Sequence, residues 1–239
     1  LLLLGWTNHL ANTQDAQQMA GRWSEKKDVA QISCFFSSKA EVTEDTIQSF
    51  EYSLKNVLQE ASITETSENP SARLWVDAYS ADGKITLVNG KNTLDANAIG
   101  IGGDFFMFHP LKLITGAYFS GNDLMQDYCI IDQDAAWQLF GSNDVVGMTV
   151  YIGNVPHIVT GVVQRPDSRM DKAAGLNSTV VYVSYETLSA YGTNNGINHY
   201  EIVMPNPVDE FAYGKVKEGI GIDEKNVEIV ENSRRYSLP

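Results

Sequence analysis

From Gly116 to Val163 short apolar runs alternate with closely spaced glycines: Gly-Ala-Tyr-Phe, then Cys129 to Asp132, Ala-Trp-Gln-Leu-Phe-Gly, Val-Gly-Met-Thr-Val-Tyr-Ile-Gly and Val-Thr-Gly-Val-Val. Runs of roughly four to eight apolar, β-branched residues bounded by glycine are too short for long helices and suit strands joined by tight turns. The spacing predicts a strand over Cys129 to Asp132 and a short helix over Gln133 to Phe140. Strands at Thr149 to Ile152 and His157 to Val163 follow, divided by Gly153-Asn154. Gly141 and Gly147 permit the turns that end the helix and enter the next strand, and Gly161 allows close approach within a strand. Leu139 and Phe140 are expected to form a buried plug. Such a pattern carries packing rather than catalysis.

On either side the periodicity differs. Val29 to Phe36 is strand-like, and Thr43 opens a helix with Glu44 and Asp45 in its first turn, where carboxylates meet the positive end of the helix dipole. Ile47, Phe50, Leu54, Val57, Leu58 and Ala61 follow at steps of three and four, an apolar face that calls for a sheet beneath it. Arg73 to Tyr79 alternates as a strand, and Ala81-Asp82-Gly83-Lys84 is read as a hairpin turn into Ile85 to Val88. Ala98 to Ile101 adds a strand. Further on come a strand at Thr179 to Val183 and a brief helix at Tyr185 to Ala190. The last elements are a strand at His199 to Met204, a helix at Pro207 to Gly219 and a strand at Asn226 to Val230. The closing strand, helix, strand set repeats the element order of residues 29–79. The chain therefore reads as α+β, with an α+β unit built from both chain ends and an inserted β-rich unit between them. The expected bounds are 28–115 with 197–239 for the first unit and 116–196 for the second. The segment from Gln164 to Asn177 reads as an exposed loop.

Residues 6–27 carry Trp6, Leu10, Met19 and Trp23 at loosely helical spacing without proline, which predicts a long helix of roughly 30 Å at about 1.5 Å per residue. It is either a stalk or a surface helix packed on its own domain. The chain opens on Leu1 to Leu4 without Met, far short of the roughly 20 apolar residues of a membrane span. The reading favoured here is a piece excised from something larger, a cloning remnant being the other.

Net charge is −13 and the pI near 4.6, a balance that disfavours nucleic acid and anionic lipid as partners because phosphate contacts need clustered Lys and Arg. Cys34 and Cys129 each sit inside an apolar run and are read first as buried free thiols, a disulfide between them being the other reading that sequence leaves open. His9, His109, His157 and His199 lie far apart, none at metal-ligand spacing with another histidine or a cysteine, so spacing gives no zinc site. His109 precedes Pro110 and reads as an extended surface dipeptide. Gly100-Ile-Gly102-Gly103 lacks the third glycine of a dinucleotide loop, Phe105 standing there, and is read as a turn at a strand end. Asp77 to Gly83 fails calcium-loop spacing, since only Asp77 of its first three ligand positions offers a side-chain oxygen. Ser184 and Ser237 lack the nucleophile elbow. No cofactor and no catalytic residue is expected.

The ordered series Leu113, Gly116, Tyr118, Phe119, Ile130 to Asp132, Ala135, Ala136, Leu139-Phe140-Gly141, Val146-Gly147, Val150, Ile152, Val159, Gly161-Val162-Val163 and Val181-Tyr182-Val183 resembles the extracytoplasmic core domain of permeases in the macrolide-exporter (MacB) and FtsX-like ABC transporter family. The resemblance covers about 75 residues. It implies a two-part, non-enzymatic domain between the first and second membrane helices: a porter-like unit and an inserted sabre-like unit. Residues 1–27, with Leu10, Met19 and Trp23, would extend the first membrane helix as a stalk. Glu231 to Pro239 would return to the second, with Arg234 and Arg235 near lipid headgroups or an acidic subunit. The implied partners are a cytoplasmic ATPase reached through the parent permease, a second permease subunit, and an extracellular peptide or protein. The implied location is the outer side of the cell membrane. The alternative is a secreted or lipid-anchored binding protein whose pocket lies between the two units, lined by Trp75, Tyr79, Trp137 and Tyr151.

Overall fold

A computed structural model of the chain describes residues 18–24, 28–64, 73–165 and 178–232. In chain order these form α1 (Met19–Trp23), β1 (Val29–Phe36), α2 (Glu44–Glu60), β2 (Val76–Asn89), β3 (Asn92–Gly103), α3 (Phe105–Phe108) and β4 (Leu113–Gly116). Next come β5 (Tyr128–Asp132), α4 (Gln133–Phe140), β6 (Thr149–Ile152), β7 (Val155–Val163), β8 (Val180–Ser184), α5 (Tyr185–Tyr191) and β9 (Thr193–Asn194). The chain closes with β10 (His199–Pro205), α6 (Phe211–Gly219) and β11 (Val227–Glu231). The fold is α+β. Leu10, most of the segment expected as a loop, and Arg234 and Arg235 with most of the expected return path lie outside the described residues.

Two compact units divide the chain. The first takes the described residues up to Tyr79, Met107–His109 and those from Gly196 onward; the second takes Ser80–Phe106 and Pro110–Asn195. The second unit thus begins earlier than the expected 116, and three residues of the intervening stretch return to the first. The early start has a physical reason, since β3 pairs in parallel with β8 from Asn97↔Val180 to Ile101↔Ser184.

In the first unit β1 lies between β10 and β11, antiparallel to both. Every residue of β1 from Ala30 to Cys34 is buried. Thr43 caps α2 through a reciprocal capping box with Thr46, and Glu44 and Asp45 occupy the first turn. The helix buries Ile47, Phe50, Leu54 and Leu58. Phe50 meets the edge of Tyr200, a fully buried ring from β10, at 5.8 Å. The helix expected over residues 207–219 starts only at Phe211, because the Asn206 side chain takes the Ala212 N–H at 3.0 Å and the preceding residues form turns.

In the second unit the strands pair in the circuit β2, β3, β8, β5, β7, β6 and back to β2, so that no strand of the ring is left with a free edge. Its core includes Leu87, Ile131, Leu139, Val150, Ile152, Val159, Val162 and Val181. The turn expected at Ala81 to Lys84 does not exist; β2 runs through it, and the reversal comes at Gly90, with φ +59. Gly83 serves a different end, since a Cβ there would stand 2.2 Å from the Thr193 carbonyl of β9. Gly100 lies inside β3 rather than at a turn; the strand ends at Gly103.

The expected plug is half right. Leu139 is fully buried, whereas Phe140 is half-buried and packs against the margin of the core. Leu139→Ala should therefore cost about 2–5 kcal/mol, the range for a buried leucine. Phe140→Ala should cost only about 1–2 kcal/mol. Urea denaturation of both variants checks the order, and equal losses would mean that Phe140 is as buried as its neighbour.

Candidate functional site

The motif residues fall within the second unit. Gly116 closes β4 opposite Gly161 of β7. Its φ is +87, and a Cβ on it would stand 2.1 Å from the Thr160 carbonyl and 2.7 Å from the Gly161 Cα. Gly116 thus lets the two backbones meet where a side chain of its own would not fit, and a Cβ on Gly161 would be tight, at 3.1 Å from the Ala117 carbonyl. Gly141 is the left-handed C-cap of α4, and Gly147 takes φ +83 at the turn into β6. Phe119 is buried edge-on against Phe106 at 5.7 Å, and Val162 is fully buried. Of the expected stalk residues, Met19 is buried on α1 and Trp23 lies beneath the Arg73 guanidinium at 5.7 Å. The helix ends at Trp23, four residues short of the expectation.

Asp132 is the polar centre of this unit. Its Oδ1 accepts the Ala135 N–H at 2.8 Å as the N-cap of α4. Its Oδ2 accepts Arg165 at 3.2 and 2.9 Å and the Val180 N–H at 3.1 Å. Arg165 also reaches Asp134 and the Thr179 hydroxyl. One buried carboxylate thus fixes a helix start and both described ends of the segment carrying residues 166–177. With both oxygens engaged, Asp132 is suited to hold structure and not to abstract a proton. It borders a cleft of about 460 Å³ lined also by Ile99, Leu111, Lys112 and Tyr182.

Ser184 is likewise structural, its hydroxyl capping α5 through the Thr187 N–H at 3.0 Å. His157 is fully buried between the Thr187 hydroxyl at 3.1 Å and the Val155 carbonyl at 3.0 Å. Cys34 and Cys129 are free and buried, and burial pushes both thiols up to about 12, out of the reactive range. Of the aromatics expected to line a pocket, Trp137 and Tyr151 are exposed on the second unit. Tyr79 is buried in the first, with its hydroxyl on the Glu44 carboxylate.

The first unit holds two groups of ionisable residues. In one, Glu51 faces Asp77 and Glu44; Tyr200 donates to Asp77 at 2.9 Å. Burial first, then the charge and hydrogen bond of Asp77, then the charge of Glu44, hold the Glu51 carboxyl up to about 8 from its ordinary 4.5. The other group is His109, His199 and Glu201, whose ligand atoms all lie within 4.8 Å of one another. His109 is not the surface dipeptide expected from Pro110, since its Nε2 meets Glu201 Oε2 and its side chain is only 25% exposed. Spacing rules tuned to helices pass over this group. The available signal was His199-Tyr-Glu201 inside a strand, where residues two apart share a face.

The sequence profile of the MacB-like periplasmic core domain family matches residues 10–229. The Chromobacterium violaceum macrolide export ATP-binding/permease protein MacB is 32% identical over 99 residues, 41% of this chain and 15% of that protein. The Shewanella MacB of the same description is 31% identical over 120 residues, 48% of this chain and 18% of that protein. The chain thus spans less than a fifth of these relatives. Among solved structures, the extracellular domain of the noncanonic ABC-type transporter YknZ from Gram-positive bacteria aligns with TM-score 0.50 at 18% identity, over 84% of this chain and 99% of that one. The periplasmic region of MacB from Actinobacillus actinomycetemcomitans aligns with TM-score 0.50 at 19% identity, over 84% and 88%. At these identities the likeness is one of fold.

Two outcomes follow from this electrostatics. Asp132→Ala removes a helix cap and one of the two carboxylates that Arg165 meets, and should cost about 2–3 kcal/mol, read as a lowered urea midpoint with an unchanged slope. Because the folded-state pKa of Glu51 is raised, its contribution to stability is complete below about 4.5 and is lost as pH rises through about 8. Glu51→Gln should therefore melt above the parent protein at pH 9, with the difference vanishing toward pH 5; a difference constant with pH would show that Glu51 does not titrate there.

Proposed function

This chain belongs to the MacB-like periplasmic core domain family, and from that membership we propose that it is the extracytoplasmic domain of an ABC transporter permease, passing ATP-driven movement of membrane helices to a substrate or partner outside the membrane. The observation that carries this reading is the placement of the two described ends. β1, the first strand, pairs with β11, the last, from Ile32↔Glu231 to Phe36↔Val227. The chain thus enters and leaves the first unit at one place in one sheet. A domain pulled or turned by two membrane helices at its two ends needs such a joint, because adjacent hydrogen-bonded strands move together.

Under this reading the domain lies on the outer side of the cell membrane. A cytoplasmic ATPase drives it through the parent permease, a second permease subunit pairs with that permease, and an extracellular peptide or protein receives the motion. The net charge of −13 argues against nucleic acid among these partners. No helix of the described residues is long and apolar enough to cross a membrane. Arg234 and Arg235 are offered as its contacts with lipid headgroups or an acidic subunit.

The parent reading frame tests the proposal directly. It should encode a span of roughly 20 apolar residues before residue 1 and about three more after residue 239. A frame ending soon after Pro239 overturns it. A neighbouring gene for an ATPase without membrane spans, if the parent itself lacks one, is the second expected outcome.

A further inference from the structure

We propose that His109, His199 and Glu201 form a binding site for a divalent transition metal, zinc by preference, within the first unit. Glu201 is 4% exposed, and its two oxygens are turned to different imidazoles: Oε2 meets His109 Nε2, and Oε1 lies 3.8 Å from His199 Nε2. A buried carboxylate needs one cationic partner; this one draws two imidazole nitrogens from places 90 residues apart in sequence (199 − 109). An imidazole in its neutral form offers a metal a nitrogen lone pair. Two neutral imidazoles and one carboxylate are a complete set of protein ligands for a three-ligand zinc site with an open fourth position. In a tetrahedral site with bonds of about 2.0–2.1 Å, donor atoms lie roughly 3.3 Å apart. The three here lie within 4.8 Å, so side-chain adjustments of roughly 1.5 Å or less bring them to that spacing.

The surroundings of the three donors are those of a built site. The register of β1 against β10 sets Ser33 opposite Glu201 and Phe35 opposite His199. Ser33 accordingly donates to Glu201 Oε1 at 3.2 Å and is itself held by the Asn232 amide at 2.7 Å. The Phe35 ring stacks on the His199 imidazole, centroids 4.6 Å apart and planes 11° from parallel. A hydrogen bond to the carboxylate and a fixed imidazole plane are the outer supports that orient ligands in metal sites. The two imidazole side chains are 25% and 20% exposed, so the site lies near the surface of the unit although the His199 Nε2 atom itself is buried. Arg22 fixes the third ligand's segment from the other side by donating to the Met107 carbonyl at 2.8 Å. A bound ion would therefore clamp the short return segment Met107–His109 onto β10. The inference does not rest on the transport reading.

The untagged 239-residue protein, stripped with EDTA and titrated with zinc sulfate, tests the site. Elemental analysis should find one zinc per chain, and the melting midpoint should rise by roughly 5–10 °C at about a hundredfold excess over Kd. Magnesium and calcium should not reproduce the rise, since imidazole donors suit neither ion. His109→Gln and His199→Gln should each abolish the zinc-dependent rise while keeping the parent's circular dichroism. Ser33→Ala, acting only through Glu201, should weaken binding about tenfold. If a histidine variant fails to fold, cobalt(II) bound to the parent protein decides the matter: the intense visible bands of a four-coordinate site support the proposal and their absence overturns it. A midpoint unmoved by zinc, or an equal rise in a folded His109→Gln protein, also overturns it.

Discussion

The pairing of β1 with strands from the far end of the chain is the constraint on which the first unit depends. Residues 29–36 find one neighbour in residues 199–205 and the other in residues 227–231. Neither contact is local, so the loop-closure cost of joining the ends must be met before any burial on the sheet repays it. Once formed, the sandwiching of β1 buries five consecutive residues, and its neighbour β10 presents Tyr200 to Phe50 of α2. It also aligns the side chains of β1 and β10 in pairs. Ser33 under Glu201 and Phe35 under His199 are consequences of register, and a slip of one residue would send all four to the wrong partners.

The second unit meets a different problem. Of its ring strands, β2 and β3 are long, whereas β5, β6 and β8 have only four or five residues each and little local pattern to order them. Closure of the strand circuit removes the edges, and Asp132 ties the elements whose order in space is least dictated by the chain. Gly116 allows β4 to come against β7 where a side chain of its own would meet the Thr160 carbonyl.

Legibility in the sequence followed the range of the interactions. Helix α4 and strand β6 have the bounds expected from local pattern, and α2 begins at the expected cap, because propensity, periodicity and capping act within a few residues. The false turn at Ala81 to Lys84 shows the opposite case. Asp-Gly there has the chemistry of a hairpin, but Gly83 is required by Thr193, more than a hundred residues away, and the local preference loses. The burial of Leu139 was legible from its apolar run, whereas the half-exposure of Phe140 depends on where the helix meets the core. His109 was misread for a similar reason. Its proline neighbour describes the backbone, and only the fold brings Glu201 to its ring.

The passage of Met107–His109 back into the first unit bears on how domains of this kind can be recombined. The chain crosses between units after Tyr79, Phe106, His109 and Asn195, so the second unit is two separate inserts and not one. A graft that exchanges everything between Tyr79 and Gly196 with a relative would also replace a three-residue piece of the recipient's own scaffold. Chimaeras that respect the fold need four junctions, two of them closely flanking His109.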